Sequence, residues 1–175
     1  QQGYAHYLSA KMREVHLYGP QRPPTWLDSL PLDVKFYWHN SLRLFPSDAA
    51  APPEPSPVMV SAADMHLSIR YSNKERAVLE LLDELPDHES FHQVDALFEG
   101  LSDLSPRRLQ TLLETCASVK VKRLFLFFAD RHRHAWSSRL DVSRIDLGSG
   151  KRVLVKGGKL DPTYHITVPS DLGGQ

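Results

Sequence analysis

The chain has 175 residues, 41% of them hydrophobic and 24% charged, with 21 basic side chains balancing 21 acidic ones. These proportions are those of a globular chain with a hydrophobic core and exclude disordered and collagen-like classes, and no run of eighteen apolar residues is present to span a membrane. The single cysteine, Cys116, excludes a disulfide framework and any multi-cysteine zinc site, and it fits a reducing, cytoplasmic setting.

The first residues, Gln1, Gln2, Gly3 and Tyr4, are neither basic nor apolar, so no secretory signal is expected. With no initiator Met, the chain reads as a fragment whose upstream part is missing, and residues 4–10 as the tail of a helix begun outside it. Residues 15–18 form a strand candidate closed by Gly19-Pro20. A Pro-rich turn at Pro23 and Pro24 and a brief helical turn at 26–30 follow. Residues 34–38 read as a second strand, because Phe36, Tyr37 and Trp38 suit a pleated, half-buried surface.

Residues 46–57 (PSDAAAPPEPSP) hold five prolines, which remove backbone donors and fix extended geometry, so a loop or linker is expected there. The organisation predicted is a β-rich piece over residues 1–45, a Pro-rich linker over 46–60 and a main domain over 61–175. Within that domain residues 65–71 alternate like a strand.

Three helices come next. Ser72 with Glu75 has the spacing of a capping box, and Ala77, Val78, Leu81, Leu82 and Leu85 then recur at helical spacing until Pro86. Ser90 with Gln93 repeats the device ahead of a stripe of Phe91, Val94, Leu97, Phe98 and Leu101. Ser105 opens a third helix with Pro106 at its first position, where the missing amide is harmless. Leu109, Leu112, Leu113 and Cys116 make its inner face, which points to a compact three-helix bundle.

Residues 119–128 switch to strand character: Val119 and Val121 alternate with Lys120 and Lys122 and lead into Leu124-Phe125-Leu126-Phe127-Phe128, a run apolar on both faces as in a central covered strand. One or two helical turns are expected over 135–140. Closing strands are expected at 151–156 and 164–168 around the Gly157-Gly158 turn. The predicted class is α+β, a small mixed sheet with the helical bundle in the middle of the chain.

The charge balance conceals an asymmetry. Residues 105–160 carry thirteen Lys/Arg against four acids, a surplus of nine that the remainder of the chain offsets. A split of this kind points to an anionic partner, or to a basic face docked on an acidic one, within the chain or between copies in a homo-oligomer. The candidate nucleic-acid or phosphate contacts are Arg107, Arg108, Lys120, Lys122, Arg123, Arg131, Arg133, Lys151, Arg152, Lys156 and Lys159. Arg107 and Arg108 stand in a first helical turn, where the helix dipole favours acids, so another use for their charge is expected.

Other constellations have simpler readings. Gly148-Ser149-Gly150-Lys151-Arg152 lacks both ends of a phosphate-binding P-loop, with Ile145 and Arg152 at the positions that need glycine and a hydroxyl. Its default is a turn; the alternative is an enzyme or sensor holding phosphates with the loops from Gly148 to Lys159. Asp130, His132 and His134 alternate as strand-borne metal ligands do, yet Arg131 and Arg133 between them repel a cation. Cys116 lies on an apolar stripe, as a small buried hydrophobe does. Asp83, Glu84, Asp87 and Glu89 read as a solvated acidic edge. Nothing assembles into an active site, so no enzyme, metal or cofactor is expected.

Residues 75–86 (ERAVLELLDELP), 104–109 (LSPRRL), the 119–128 segment, 148–152 (GSGKR), 157–159 (GGK) and 166–169 (ITVP) together resemble AbiEi-type antitoxins. Residues 6–8 (HYL), 17–19 (LYG) and 26–27 (WL) fit the same pattern, and only the Pro-rich segment departs from it. The resemblance implies a bacterial type IV toxin–antitoxin system of the abortive-infection, phage-defence kind. It implies an N-terminal winged helix-turn-helix domain that binds operator DNA in its own promoter, and a C-terminal domain that neutralises a nucleotidyltransferase-like toxin, by direct contact or not. This chain then corresponds to the C-terminal antitoxin domain without the base-reading helix.

Overall fold

The computed structural model describes residues 14–49 and 72–173. The expected helix tail at 4–10, most of the Pro-rich segment and the expected strand at 65–71 lie outside the described residues. The chain divides into two compact units, residues 1–52 and 53–175.

In the first unit, β1 (Glu14–Gly19) and β2 (Lys35–Asn40) pair in parallel, with His16 opposite Tyr37 and Tyr18 opposite His39. Alternation puts these four rings on one face of the pair. They stack in sequence, His16 on Tyr37 at 5.3 Å, His16 on His39 at 5.0 Å and Tyr18 on His39 at 4.7 Å between centroids. A 3-10 turn at Thr25–Ser29 follows the two prolines, as expected. Asn40 caps the next turn, Ser41–Arg43, its side chain accepting from the Leu42 amide at 3.1 Å. Pro46–Ala49 is a further 3-10 turn in which Asp48 is buried, so the Pro-rich segment begins as folded structure rather than loop.

The second unit holds four helices, α1 (Lys74–Asp83), α2 (Phe91–Gly100), α3 (Pro106–Thr115) and α4 (Val119–His132). Each has an N-cap of the residue type that satisfies a free first-turn amide, an interaction contributing about 1 kcal/mol. Ser90 accepts from Gln93 N, Ser105 from Arg108 N and Ser118 from Val121 N. In α1 the cap falls one residue beyond the expected Ser72, on Asn73, which accepts from Arg76 N at 2.9 Å. Ser72 instead donates to Glu80 at 2.7 Å, and the Glu75 carboxylate accepts from the Ser105 amide at 2.8 Å, tying the start of α3 to α1.

Residues 119–128 are not a strand. They are the first ten residues of α4, the helix at the centre of the unit, which packs on α1 and α2. A segment apolar on every side fits a helix covered all round as well as a covered strand, and nine consecutive residues from Val121 to Ala129 are buried here. Phe98 of α2 stacks on Phe128 at 5.0 Å and meets Phe125 edge-on at 5.8 Å, forming the aromatic centre of the core.

Beyond α4 come 3-10 turns at Ser137–Arg139 and Val142–Arg144. A short antiparallel pair follows, β3 (Lys159–Leu160) with β4 (Thr167–Val168). The closing strand expected over 151–156 is reduced to one bridge, Arg152 to Ile166, and the pairing strand lies after the glycine turn instead of before it. Gly158 is required there: a Cβ at this position would stand 2.4 Å from the Val168 carbonyl oxygen. The described fold is α+β, with its strands in two separate pairs and four helices in place of three.

Candidate nucleic-acid interface

The structure distributes the candidate cations over four places. Arg107 and Arg108 are exposed at the start of α3, and Arg108 lies 4.0 Å from the buried Glu75 carboxylate. That carboxylate helps to neutralise the charge that the helix dipole disfavours there.

Three of the candidates, Lys120, Lys122 and Arg123, are not part of an open basic face. The strand reading placed Lys120 and Lys122 on a solvent side, whereas α4 turns them inward. Lys120 Nζ donates to the Asp83 and Leu85 carbonyls at 2.6 and 2.9 Å, at the C-terminal end of α1, and pairs with Asp83 at 3.5 Å. Lys122 and Arg123 are only 4% and 2% exposed.

Arg123 reaches into the Gly148–Gly150 loop and organises it. Its guanidinium donates to the carbonyls of Leu147, Gly148, Gly150 and His165 at distances between 2.6 and 3.4 Å. Burial and the nearby Arg152 both pull its pKa below the ordinary arginine value. The converging carbonyl oxygens stabilise the cation in return. The loop therefore presents oxygens inward to a guanidinium, and the Gly148 amide is taken by Asp146 at 2.8 Å. A phosphate cradle needs amides converging on the ligand, and this loop does not supply that geometry.

The third place is the stretch carrying Lys151, Arg152 and Lys156, all exposed and flanking the bridge to Ile166. The fourth is a cleft of about 470 Å³ at the C-terminal end of α4, lined by Arg131, Arg133 and Lys159 among others. Arg131 is tied down, its Nε donating to Asp95 at 2.8 Å, while Arg133 and Lys159 are exposed.

The metal reading of Asp130, His132 and His134 rested on strand alternation, which the helix removes. Asp130 accepts from the Tyr164 hydroxyl, His132 meets Asp95 at 2.7 Å and His134 meets the Phe98 carbonyl at 2.7 Å. Cys116 is buried at the C-cap of α3, and burial raises its thiol pKa. The acidic edge is partly occupied as well, since Asp83 pairs with Lys120 and Glu84 is buried. Part of the charge asymmetry is thus resolved inside the unit, where Glu75, Asp83 and Asp95 of α1 and α2 face Arg108, Lys120 and Arg131 of α3 and α4. Sequence reasoning missed these pairs because their partners lie 33 to 37 residues apart along the chain.

The family model for the AbiEi antitoxin, a transcriptional regulator of type IV toxin–antitoxin systems, matches residues 12–169. The chain belongs to this family. No curated protein and no solved structure gives a significant match. The AbiEi match runs through both compact units, and every candidate cation lies within it. Among the described residues of this AbiEi-family chain no helix is long and apolar enough to cross a membrane.

Proposed function

We propose that residues 61–175 are the toxin-neutralising domain of this antitoxin, acting in the cytoplasm against a nucleotidyltransferase-like toxin, and that its exposed cations contact a nucleic-acid backbone without any catalysis. That backbone belongs to the operator, beside a separate base-reading domain, or to the toxin's own nucleic-acid substrate.

One observation carries this reading. After the internal pairings are made, Arg107, Arg133, Lys151, Arg152, Lys156 and Lys159 remain exposed, and among the described residues none of them forms an ion pair. Cations left in water without acids are suited to phosphates, which they engage without reading sequence and with a steep dependence on salt.

The test is growth rescue by co-expression with the toxin encoded beside this chain. The native chain is expected to restore colony formation. A variant carrying Lys151→Glu, Arg152→Glu and Lys156→Glu is expected to fold with a normal melt, yet to lose rescue or nucleic-acid affinity. A folded triple variant that keeps both would overturn the assignment.

A further inference from the structure

The first unit carries an apolar surface that the backbone-contact reading does not use. Trp26, Leu30 and Leu32 are 60%, 39% and 53% exposed and stand within seven residues of one another. Leu30 and Leu32 border a groove of about 690 Å³, lined more deeply by the half-buried Leu27, Val34 and Phe36. Single exposed apolar side chains are ordinary, whereas a cluster of them around a groove marks a contact surface.

The open charge at this groove is negative. Asp28 and Asp33 line it, both exposed, and neither carboxylate has an ion pair among the described residues. Lys35 also lines it, but its ammonium lies 4.7 Å from the centre of the Tyr37 ring. Strand alternation puts Lys35 and Tyr37 on the face of β2 opposite to Phe36, away from the groove's apolar lining. An occupant suited to this surface carries an apolar side chain between cations.

The second unit presents such a segment. Val153 is 74% exposed, more than any other large apolar side chain among the described residues. Lys151, Arg152 and Lys156 beside it are exposed as well. The backbone is fixed on both sides of Val153. The Arg152 amide donates to the His165 carbonyl at 2.9 Å, and its carbonyl accepts from the Thr167 amide at 3.0 Å. The Leu154 and Val155 amides both donate to the Thr167 hydroxyl, at 2.8 and 3.0 Å. A segment ordered before contact loses little conformational entropy on docking.

We propose that the 151–156 segment of one copy docks in the 27–36 groove of a second copy, with Val153 against Leu30, Leu32 and Phe36 and the flanking cations beside Asp28 and Asp33. Opposite charge and exposed apolar surface occur on the two sides of this contact, which are both offered by the same chain. The docked cations are those assigned to a nucleic-acid backbone, so self-association and nucleic-acid contact exclude one another. That consequence rests on the backbone-contact reading; the docking itself does not.

Sedimentation velocity of the full chain tests it, over concentrations from about 1 to 200 µM, a range that brackets a weak and salt-sensitive contact. Reversible association that weakens in high salt is expected. Asp28→Lys with Asp33→Lys, and separately Lys151→Glu with Arg152→Glu and Lys156→Glu, are each expected to melt normally and remain monomeric, because like charges then face each other. Mixing these two variants is expected to restore association, since each then finds its opposite in the other. Leu32→Ser is expected to weaken association about tenfold with every charge retained. A native chain that stays monomeric throughout, variants that associate as the native chain does, or a mixture that stays monomeric would overturn the inference. Oligonucleotide affinity is read separately on the Asp28→Lys, Asp33→Lys variant, which keeps all its cations; absence of binding there counts against the backbone-contact reading alone.

Discussion

Nη1 of Arg123 donates to the carbonyl oxygen of Gly150 at 2.6 Å, from a helix second turn into a loop 27 residues further on. Nε adds Leu147 at 2.8 Å, so the buried cation is stabilised by carbonyl dipoles with no carboxylate among its bonded partners. This clamp joins α4 to the glycine loop and to the turn at His165, whose backbone is also left-handed.

Arg123→Ala is expected to destabilise the unit by about 2 kcal/mol or more, since four carbonyls of the adjoining loops lose a shared charged donor and a buried side chain is removed. Arg123→Lys should recover only part of this, because one ammonium cannot span the fan of oxygens that a planar guanidinium reaches. Urea midpoints of the three proteins check the order. A shift below about 1 kcal/mol for the alanine variant would show the clamp to be dispensable.

Lys120 has a comparable task at the end of α1. Its ammonium satisfies carbonyls that the helix leaves without partners, an arrangement that also opposes the negative end of the dipole. Lys120→Met keeps the stem and removes the donors, with an expected loss of about 1–2 kcal/mol. The loss should change little between low and high salt, because the partners are mostly backbone oxygens at a partly buried site. A loss abolished by salt would instead assign it to the Asp83 pair.

These two side chains also show where the sequence stopped being legible. Helix starts at Ser90, Ser105 and their apolar stripes could be read because caps and periodicity are local signals. The same holds for the β1 and β2 segments, although nothing local revealed that they pair in parallel. Residues 119–128 read as a strand because a run buried on all sides has no informative period; only the length of the segment and the Ser118 cap signal a helix. That error carried Lys120, Lys122 and Arg123 onto a surface they do not occupy. A buried cation and a solvated one look alike in sequence, and their partners here lie tens of residues away.

Cys116 should behave as a core residue. Burial disfavours its thiolate, and only the thiolate attacks alkylating or disulfide reagents. Labelling by an aromatic disulfide under native conditions is expected to be at least about a hundredfold slower than in urea. Cys116→Ala should leave toxin rescue intact while costing about 1–2 kcal/mol of stability. Rapid native labelling, or loss of rescue in a variant that still folds, would assign the thiol a chemical role.

The hydrogen bond from Tyr164 to Asp130 gives the unit a pH dependence with a definite sign. Burial first, and then the Asp130 hydrogen bond, raise the Tyr164 pKa above its ordinary value of 10.0. Folding therefore favours the neutral phenol, and its contribution is fully present below the unfolded-state pKa, near 10. As the pH rises beyond that, the unfolded chain releases the proton while the folded one retains it. Stability then falls by up to about 1.4 kcal/mol per pH unit for this one group, until the folded pKa is reached. Tyr164→Phe should lower stability at pH 8 by about 1 kcal/mol through the lost hydrogen bond, and should also give a shallower decline between pH 10 and 11 than the native chain. Urea melts across that range read both effects. Parallel declines in the two proteins would mean that the phenol ionises as easily in the folded state as in the unfolded one, and that its contact with Asp130 has no energetic weight.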